Sequence, residues 1–186
     1  ACLVGSEMCI RDRGKTKMSE IQIIKRNGNK DTLDLEKLHK VVFYACNGIN
    51  GVSASEVEIK SSLQFYSGIT SSEIQETLIK SAADLISEEQ PNYQWVAGRL
   101  ICYHLRKMVY GQFEPCHILD LVQRNIDQGF YAQELLEKYS TEDWEELNAH
   151  LRHDRDETMT YAAMEQWRGK YLAVSYTHLT LPTKAL

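Results

Sequence analysis

Lys25-Arg26-Asn27-Gly28-Asn29-Lys30-Asp31-Thr32-Leu33-Asp34-Leu35-Glu36-Lys37-Leu38 is the stretch whose reading decides the fold. Upstream, Ile21, Ile23 and Ile24 form a short apolar run, and Asn27-Gly28 are turn residues that tolerate positive φ. The run into Thr32-Leu33 therefore closes a small β-hairpin. Asp34 then stands as an N-cap, and Leu38, Val41, Val42 and Ala45 recur at i, i+3, i+4 and i+7 until Asn47-Gly48. A strand-turn-strand feeding directly into an amphipathic helix predicts a β cap sitting on a helical body.

Working outward, Ser53 with Glu56 has capping-box spacing and opens a second helix through Val57 and Leu63, ended near Gly68. Ser72 with Gln75 repeats the spacing, and Ile74, Leu78, Ala82, Leu85 and Ile86 make a third stripe that ends before Pro91. Val96, Leu100, Ile101, His104, Leu105 and Met108 form a fourth helix to Gly111, with Arg106 and Lys107 near its end, where cations favour the dipole. The first unit is predicted to span 18–111. A second helical region, 112–173, follows through Ile118, Leu119, Val122, Ile126, Trp144, Leu147 and Leu151. Its last stretch carries Tyr161, Met164 and Trp167 at helical spacing, and that apolar face is expected to be exposed here and covered by sequence outside the chain. The fold class is mainly α, a helical bundle capped by a small hairpin or sheet, with further helices after it.

The 186 residues are 43% hydrophobic and 25% charged, with three prolines, a composition that builds a core. The two ends lack the periodicity of the middle. Met8-Cys9-Ile10-Arg11-Asp12 can be encoded by a run whose opposite strand reads Val174-Ser175-Tyr176-Thr177-His178, an inverted repeat that resembles translated sequencing adapters. Residues 1–17 and 174–186 are therefore read as foreign and excluded from fold reasoning. Residues 18–173 hold 16 Lys and Arg against 24 Asp and Glu, a net charge of −8, which disfavours non-specific nucleic-acid binding. No apolar run approaches a membrane span of roughly 20 residues, and no signal peptide is legible. Cys46, Cys102 and Cys116, without CxxC spacing, read as reduced core thiols, which suits the cytoplasm.

Chemistry has few places to sit. Lys25 and Arg26 on the hairpin's first strand, Lys30 after its turn, and Lys37 in the first turn of the next helix gather positive charge beside free helical N–H groups. That is the composition of a phosphate cradle, and equally of a solvated basic face that includes Lys40. Neither a Walker A pattern nor GxGxxG is present. His153-Asp154-Arg155-Asp156 has metal-ligand residue types, but consecutive residues point apart, so no metal site is assigned. His104 with Lys107 shares one helical face; a histidine on an apolar stripe is also an ordinary core residue. Phe65, Tyr66 and Trp95 offer rings for a purine or for the core.

The residues also carry a family resemblance. Lys25-Arg26-Asn27-Gly28 followed by Leu33-Asp34-Leu35-Glu36-Lys37-Leu38 resembles the opening of ATP cone domains. The likeness continues through Gln64-Phe65-Tyr66-Ser67-Gly68-Ile69, Ala97-Gly98-Arg99-Leu100, His104-Leu105-Arg106-Lys107 and Tyr110-Gly111-Gln112-Phe113-Glu114-Pro115. It extends into His153-Asp154-Arg155-Asp156, Tyr161-Ala162-Ala163 and Gly169-Lys170-Tyr171-Leu172, and over this length is similar to the class Ia ribonucleotide reductase alpha subunit.

The resemblance implies an allosteric domain that senses ATP or dATP, with magnesium accompanying the nucleotide, at the front of an enzyme that reduces ribonucleotides for DNA synthesis. It implies nucleotide contacts at Lys25, Arg26, Asp31, Thr32, Leu33, Asp34, Leu35, Glu36, Lys37, Ser71 and Lys107, with Glu73, Gln75 and His104 as additional positions. Gln75 stands where that family often carries histidine, and Glu73 where it often carries aspartate. It implies, as partners, an alpha-subunit dimer and a radical-bearing beta subunit. No catalytic residue is assigned, because Cys46, Cys102 and Cys116 match none of the family's reactive cysteines. Two other classes stay open: an ATP cone in a different nucleotide-sensing regulator, and a nucleotide-free helical interaction module. The first would place paired CxxC motifs ahead of Lys25, where none occur.

Overall fold

A computed structural model describes residues 21–171; the two ends read as foreign lie outside the described residues. Strand β1 (Gln22–Ile24) pairs antiparallel with β2 (Lys30–Thr32), with Ile23 opposite Asp31. The turn closes through the Gly28 N–H donating to the Lys25 carbonyl at 2.9 Å, and Gly28 takes φ 81°, a value at which any side chain would be strained. Lys25 and Arg26, expected on the first strand, begin the turn instead. A third strand, β3 (Ile69–Thr70), pairs parallel with β1 and makes the order β2-β1-β3. Two residues are too few for periodicity to reveal; of the two caps expected, hairpin or small sheet, the structure has the sheet.

Helix α1 (Leu35–Cys46) starts as its sequence predicts, with the Asp34 carboxylate accepting from the Lys37 backbone N–H at 3.1 Å. It buries Leu38, Val41, Val42 and Ala45. Helix α2 (Ala54–Ser62) follows Ser53, yet the Ser53 hydroxyl makes no capping bond. Glu56, its expected capping partner, accepts instead from the Tyr93 hydroxyl at 2.6 Å; the same oxygen of Tyr93 accepts from the Ser53 N–H at 2.9 Å. A buried phenol thus replaces the local cap, because an unpaired hydroxyl there would cost more than the box is worth.

Helix α3 (Ser71–Ala83) begins earlier than the Ser72–Gln75 spacing suggests, and it ends before Leu85 and Ile86. Thr70 is the cap, accepting from the Glu73 N–H at 3.1 Å while Glu73 Oε2 accepts from the Thr70 N–H at 2.8 Å. Helix α4 (Tyr93–Val109) is the central rod, burying Tyr93, Val96, Ala97, Leu100 and Ile101 completely. Beyond it lie α5 (Ile118–Asp127), α6 (Glu134–Lys138) and α7 (Thr141–His150), then a 3-10 segment (His153–Thr158), α8 (Tyr161–Gln166) and a π-helical turn (Trp167–Tyr171).

The chain after residue 153 returns to α4. Met164 joins the same core as Val42, Leu78 and Leu100 and is 7% exposed. The expectation that Tyr161, Met164 and Trp167 all lie open is corrected: Met164 is buried, Tyr161 is half-buried, and Trp167 is 47% exposed. Polar contacts reinforce the return. Arg106 donates to the His153 carbonyl and to Asp156, each at 3.0 Å, and the Tyr44 hydroxyl donates to Glu157 at 2.7 Å. Gly98 is the point of closest approach: a Cβ built there would lie 2.2 Å from the Met159 carbonyl oxygen.

Candidate functional site

The sheet order explains the site's assembly. Because β3 runs beside β1 and leads straight into α3, the start of α3 is carried to the mouth of the hairpin, and Ser71 Oγ donates to the Ile24 carbonyl at 3.3 Å. The start of α1 arrives through Thr32, Leu33 and Asp34, with Leu33 buried and its N–H donating to the Ile21 carbonyl at 2.9 Å. The last turns of α4 form the third side: the Arg26 charge acts on both Tyr103 and His104. Hairpin turn, two helix starts and the end of α4 thus meet at one surface.

The positive charge there is partly tied down. Lys25 forms an ion pair with Asp31, and Lys37 Nζ lies 3.1 Å from Asp34. The Lys25 ammonium, the Thr32 N–H and the more distant Lys37 hold the Asp31 carboxyl below its ordinary range. The Lys37 backbone and side chain do the same for Asp34, and Thr70 does so for Glu73. These pairs are solvent-exposed and weak, so a polyanion can exchange a carboxylate for phosphate at small cost. Lys107 lies with its ammonium 5.7 Å from the Tyr103 ring centroid. Leu35 and Glu36 are exposed on the first turn of α1.

Four side-chain atoms shut off from water have no partner among the described residues: Arg106 Nε and Trp144 Nε1 elsewhere, and here His104 Nδ1, on a ring that feels the Arg26 charge, and Gln75 Oε1, one turn along α3 from Ser71. His104 is 2% exposed, and its Nε2 lies 3.4 Å from Glu76 Oε1. Burial lowers the imidazole's pKa from its ordinary 6.5, Glu76 opposes the shift, and Arg26 and Arg168 add to it. A folded pKa below the unfolded one means that stability is full above about pH 6.5 and declines as pH falls. We expect the denaturant midpoint to be lower at pH 5.5 than at pH 7.5, with His104 titrating below 6.5 by NMR; a midpoint above 6.5 would contradict its burial. The depressed carboxylates, with ordinary values of 3.8 and 4.5, act at lower pH and do not enter this window.

Glu76, Tyr103 and Arg168 belong to this neighbourhood and were not legible in the sequence. Tyr103 and Glu76 lie off the apolar stripes, and Arg168 is brought in by the return of the distal segment. Elsewhere, the metal-type residues of the 153–156 run are engaged otherwise: Asp156 with Arg106, and Asp154 with Arg152 at 2.9 Å. Among the described residues no group of three or more His, Cys, Asp or Glu is placed to hold a metal ion, and no helix is long and apolar enough to cross a membrane. Burial pushes the Cys46 thiol up to about 11 and raises Cys102 as well, so neither is a ready nucleophile. A cleft of about 290 Å³ lined by Cys102, Leu105, Arg106, Asp156, Met164 and Trp167 lies between α4 and the returning segment, and its one cation, Arg106, is already paired with Asp156.

Residues 21–108, from the first strand to the end of α4, match the ATP cone domain family. This part of the chain is an ATP cone. Over 150 residues, 81% of its length, the chain is 47% identical to the ribonucleoside-diphosphate reductase 1 subunit alpha of Escherichia coli K12. It is 44% identical over 152 residues to the subunit alpha of Haemophilus influenzae, and 38% identical over 162 residues to that of Enterobacteria phage T4. The chain covers 20%, 20% and 21% of those proteins, so it spans about a fifth of the relatives it matches. The similarity runs well past the cone, as does the packing: the segment that returns to α4 is continuous with the core of the cone.

Proposed function

We propose that this chain is the activity-regulating, ATP- and dATP-binding region of a ribonucleoside-diphosphate reductase alpha subunit, a cytoplasmic enzyme that makes deoxyribonucleotides. The observation that carries the reading is His104 Nδ1, buried without a partner on a ring that feels the charge of Arg26 on the basic turn, with the unpartnered Gln75 Oε1 one turn along α3 from Ser71. Each orphaned polar group costs about 1–3 kcal/mol, and a nucleotide's base and sugar supply the missing partners. The exposed lysines and the N-terminal turns of α1 and α3 supply donors for the phosphates.

In this reading Lys25, Arg26, Lys37 and Lys107 face the phosphates, with the Asp31–Lys37 backbone and Ser71 around them. Glu73, Gln75 and His104 lie toward the base and sugar. Asp31 and Asp34 are occupied by lysines, so magnesium arrives with the phosphates rather than being held in advance. The domain senses and does not catalyse. In the whole enzyme it would bias the association of an alpha dimer with a radical-bearing beta subunit, by no more than the nucleotide's differential affinity for the two arrangements.

Calorimetry on the chain with magnesium and ATP is the direct test. Micromolar binding is expected, weakened about tenfold or more by Lys37→Ala and by Lys107→Ala, since a charge-assisted hydrogen bond contributes about 1.5–3 kcal/mol. Absence of binding would remove the reading and leave a helical interaction module.

A further inference from the structure

Glu76 Oε1 has two basic neighbours from different parts of the chain. Arg168 Nη1 donates to it at 2.6 Å, and His104 Nε2 lies 3.4 Å away. The other arm of the same guanidinium, Nη2, donates to Glu165 at 2.6 Å. Glu76 belongs to α3 and His104 to α4, both within the cone, whereas Glu165 and Arg168 belong to the segment that returns from beyond it. Arg168 sits on the π-helical turn Trp167–Tyr171, an irregularity of a kind that frequently marks a functional position in a helix.

We infer that Arg168, Glu76 and His104 form a latch that transmits occupancy of the nucleotide surface to the segment following the cone. The physical basis is the imidazole. Its two nitrogens are not independent: a neutral ring that accepts at Nδ1 must carry its proton on Nε2, and a ring that donates at Nδ1 must accept at Nε2 unless it is charged. The group placed at the presently unpartnered Nδ1 therefore sets what Nε2 offers to the Glu76 oxygen, which Arg168 shares. When Nε2–H donates to Glu76, it competes with the guanidinium; when Nε2 is unprotonated, Arg168 keeps the oxygen.

The ring is 97% buried at its side chain and cannot swap partners with water, whereas Arg168, 23% exposed, can move. The change is thereby directed outward, to α8 and the π turn. The latch rests on the proposed nucleotide reading. Linkage makes it reciprocal: whatever nucleotide does to the docking of the π turn, loss of the latch does to nucleotide affinity.

The test uses the full chain. Calorimetry with magnesium and ATP is run on the unchanged protein, on Arg168→Gln, on Arg168→Lys, which keeps charge but loses the fork, and on Arg152→Gln, which removes an equal charge elsewhere. Amide exchange of residues 163–171 is followed with and without ATP. Expected are at least a threefold change in exchange on ATP binding in the unchanged chain, its loss in Arg168→Gln, and at least a threefold shift in Kd in that variant. Arg168→Lys should fall between, and Arg152→Gln should match the unchanged chain. If the unchanged chain binds ATP while exchange and Kd ignore Arg168, the latch is wrong and the nucleotide site stands. If the unchanged chain does not bind, both fall.

Discussion

Gly98→Val is expected to lower the melting temperature by roughly 5–10 °C and to strip protection from the amides of residues 159–166. A Cβ at this position would lie 2.2 Å from the Met159 carbonyl oxygen and 3.0 Å from the Thr160 carbonyl carbon, and both are backbone atoms that have no rotamer to change. Overpacking of this kind costs about 1–3 kcal/mol or more, and for a protein of this size each kcal/mol moves the midpoint by about 2–4 °C. The helix itself argues the same way. Glycine in a helix interior costs about 1 kcal/mol relative to alanine, and α4 carries one at the point where the returning chain crosses it. Thermal melts with amide exchange distinguish global loss from local undocking, and a variant with unchanged melt and unchanged exchange would show that the crossing is not as close as described.

Leu100→Ala is expected to destabilise by about 2–5 kcal/mol. Leu100 is fully buried midway along α4, in the core shared by the sheet, α1, α3 and Met164. Truncation removes apolar burial and leaves a cavity that surrounding helices fill only in part. The comparison with Leu63→Ala sharpens the test, because Leu63 is 83% exposed and its truncation should lie within about 0.5 kcal/mol of zero. Denaturant midpoints measured side by side read the difference directly; equal effects at the two positions would overturn the assignment of the core.

These two substitutions also separate what α4 does. Leu100 holds the cone together, and Gly98 holds the later segment to the cone. The latch of Arg168, Glu76 and His104 operates on the second of these attachments, which is why coupling can change without unfolding the domain. Coupling of this kind needs an element with two arrangements, and a segment docked through one glycine crossing, one buried methionine and two ion pairs is such an element.

The hairpin was legible because Asn27-Gly28 sits between apolar runs, and α1 because Asp34 and the 3.6-residue stripe agree with each other. Both signals are local: backbone sterics and a side chain bonding three residues ahead need no tertiary partner. The helical periods of α3 and α4 were legible for the same reason, since their apolar stripes face one core. The proposed nucleotide positions came from resemblance, and the residues alone left both a phosphate cradle and a solvated basic face open.

Where a distant group competes, the local signal misleads. Ser53 and Glu56 have the spacing of a capping box, but the buried Tyr93 hydroxyl takes Glu56. The capping box of α3 belongs to Thr70 and Glu73, displaced from the expected pair because pairing of β3 with β1 sets where the helix begins. Met164 reads as the face of an unpartnered helix until the chain is seen to return to α4. The sequence by itself determined the hairpin, the helical periods and the acidic balance that makes a basic turn conspicuous. Only the tertiary structure decided that Glu76 meets Arg168 across 92 residues, that His104 is buried with one nitrogen unsatisfied, and that Gly98 is a crossing point. Such contacts follow from how whole elements pack, and no window of a few residues contains them.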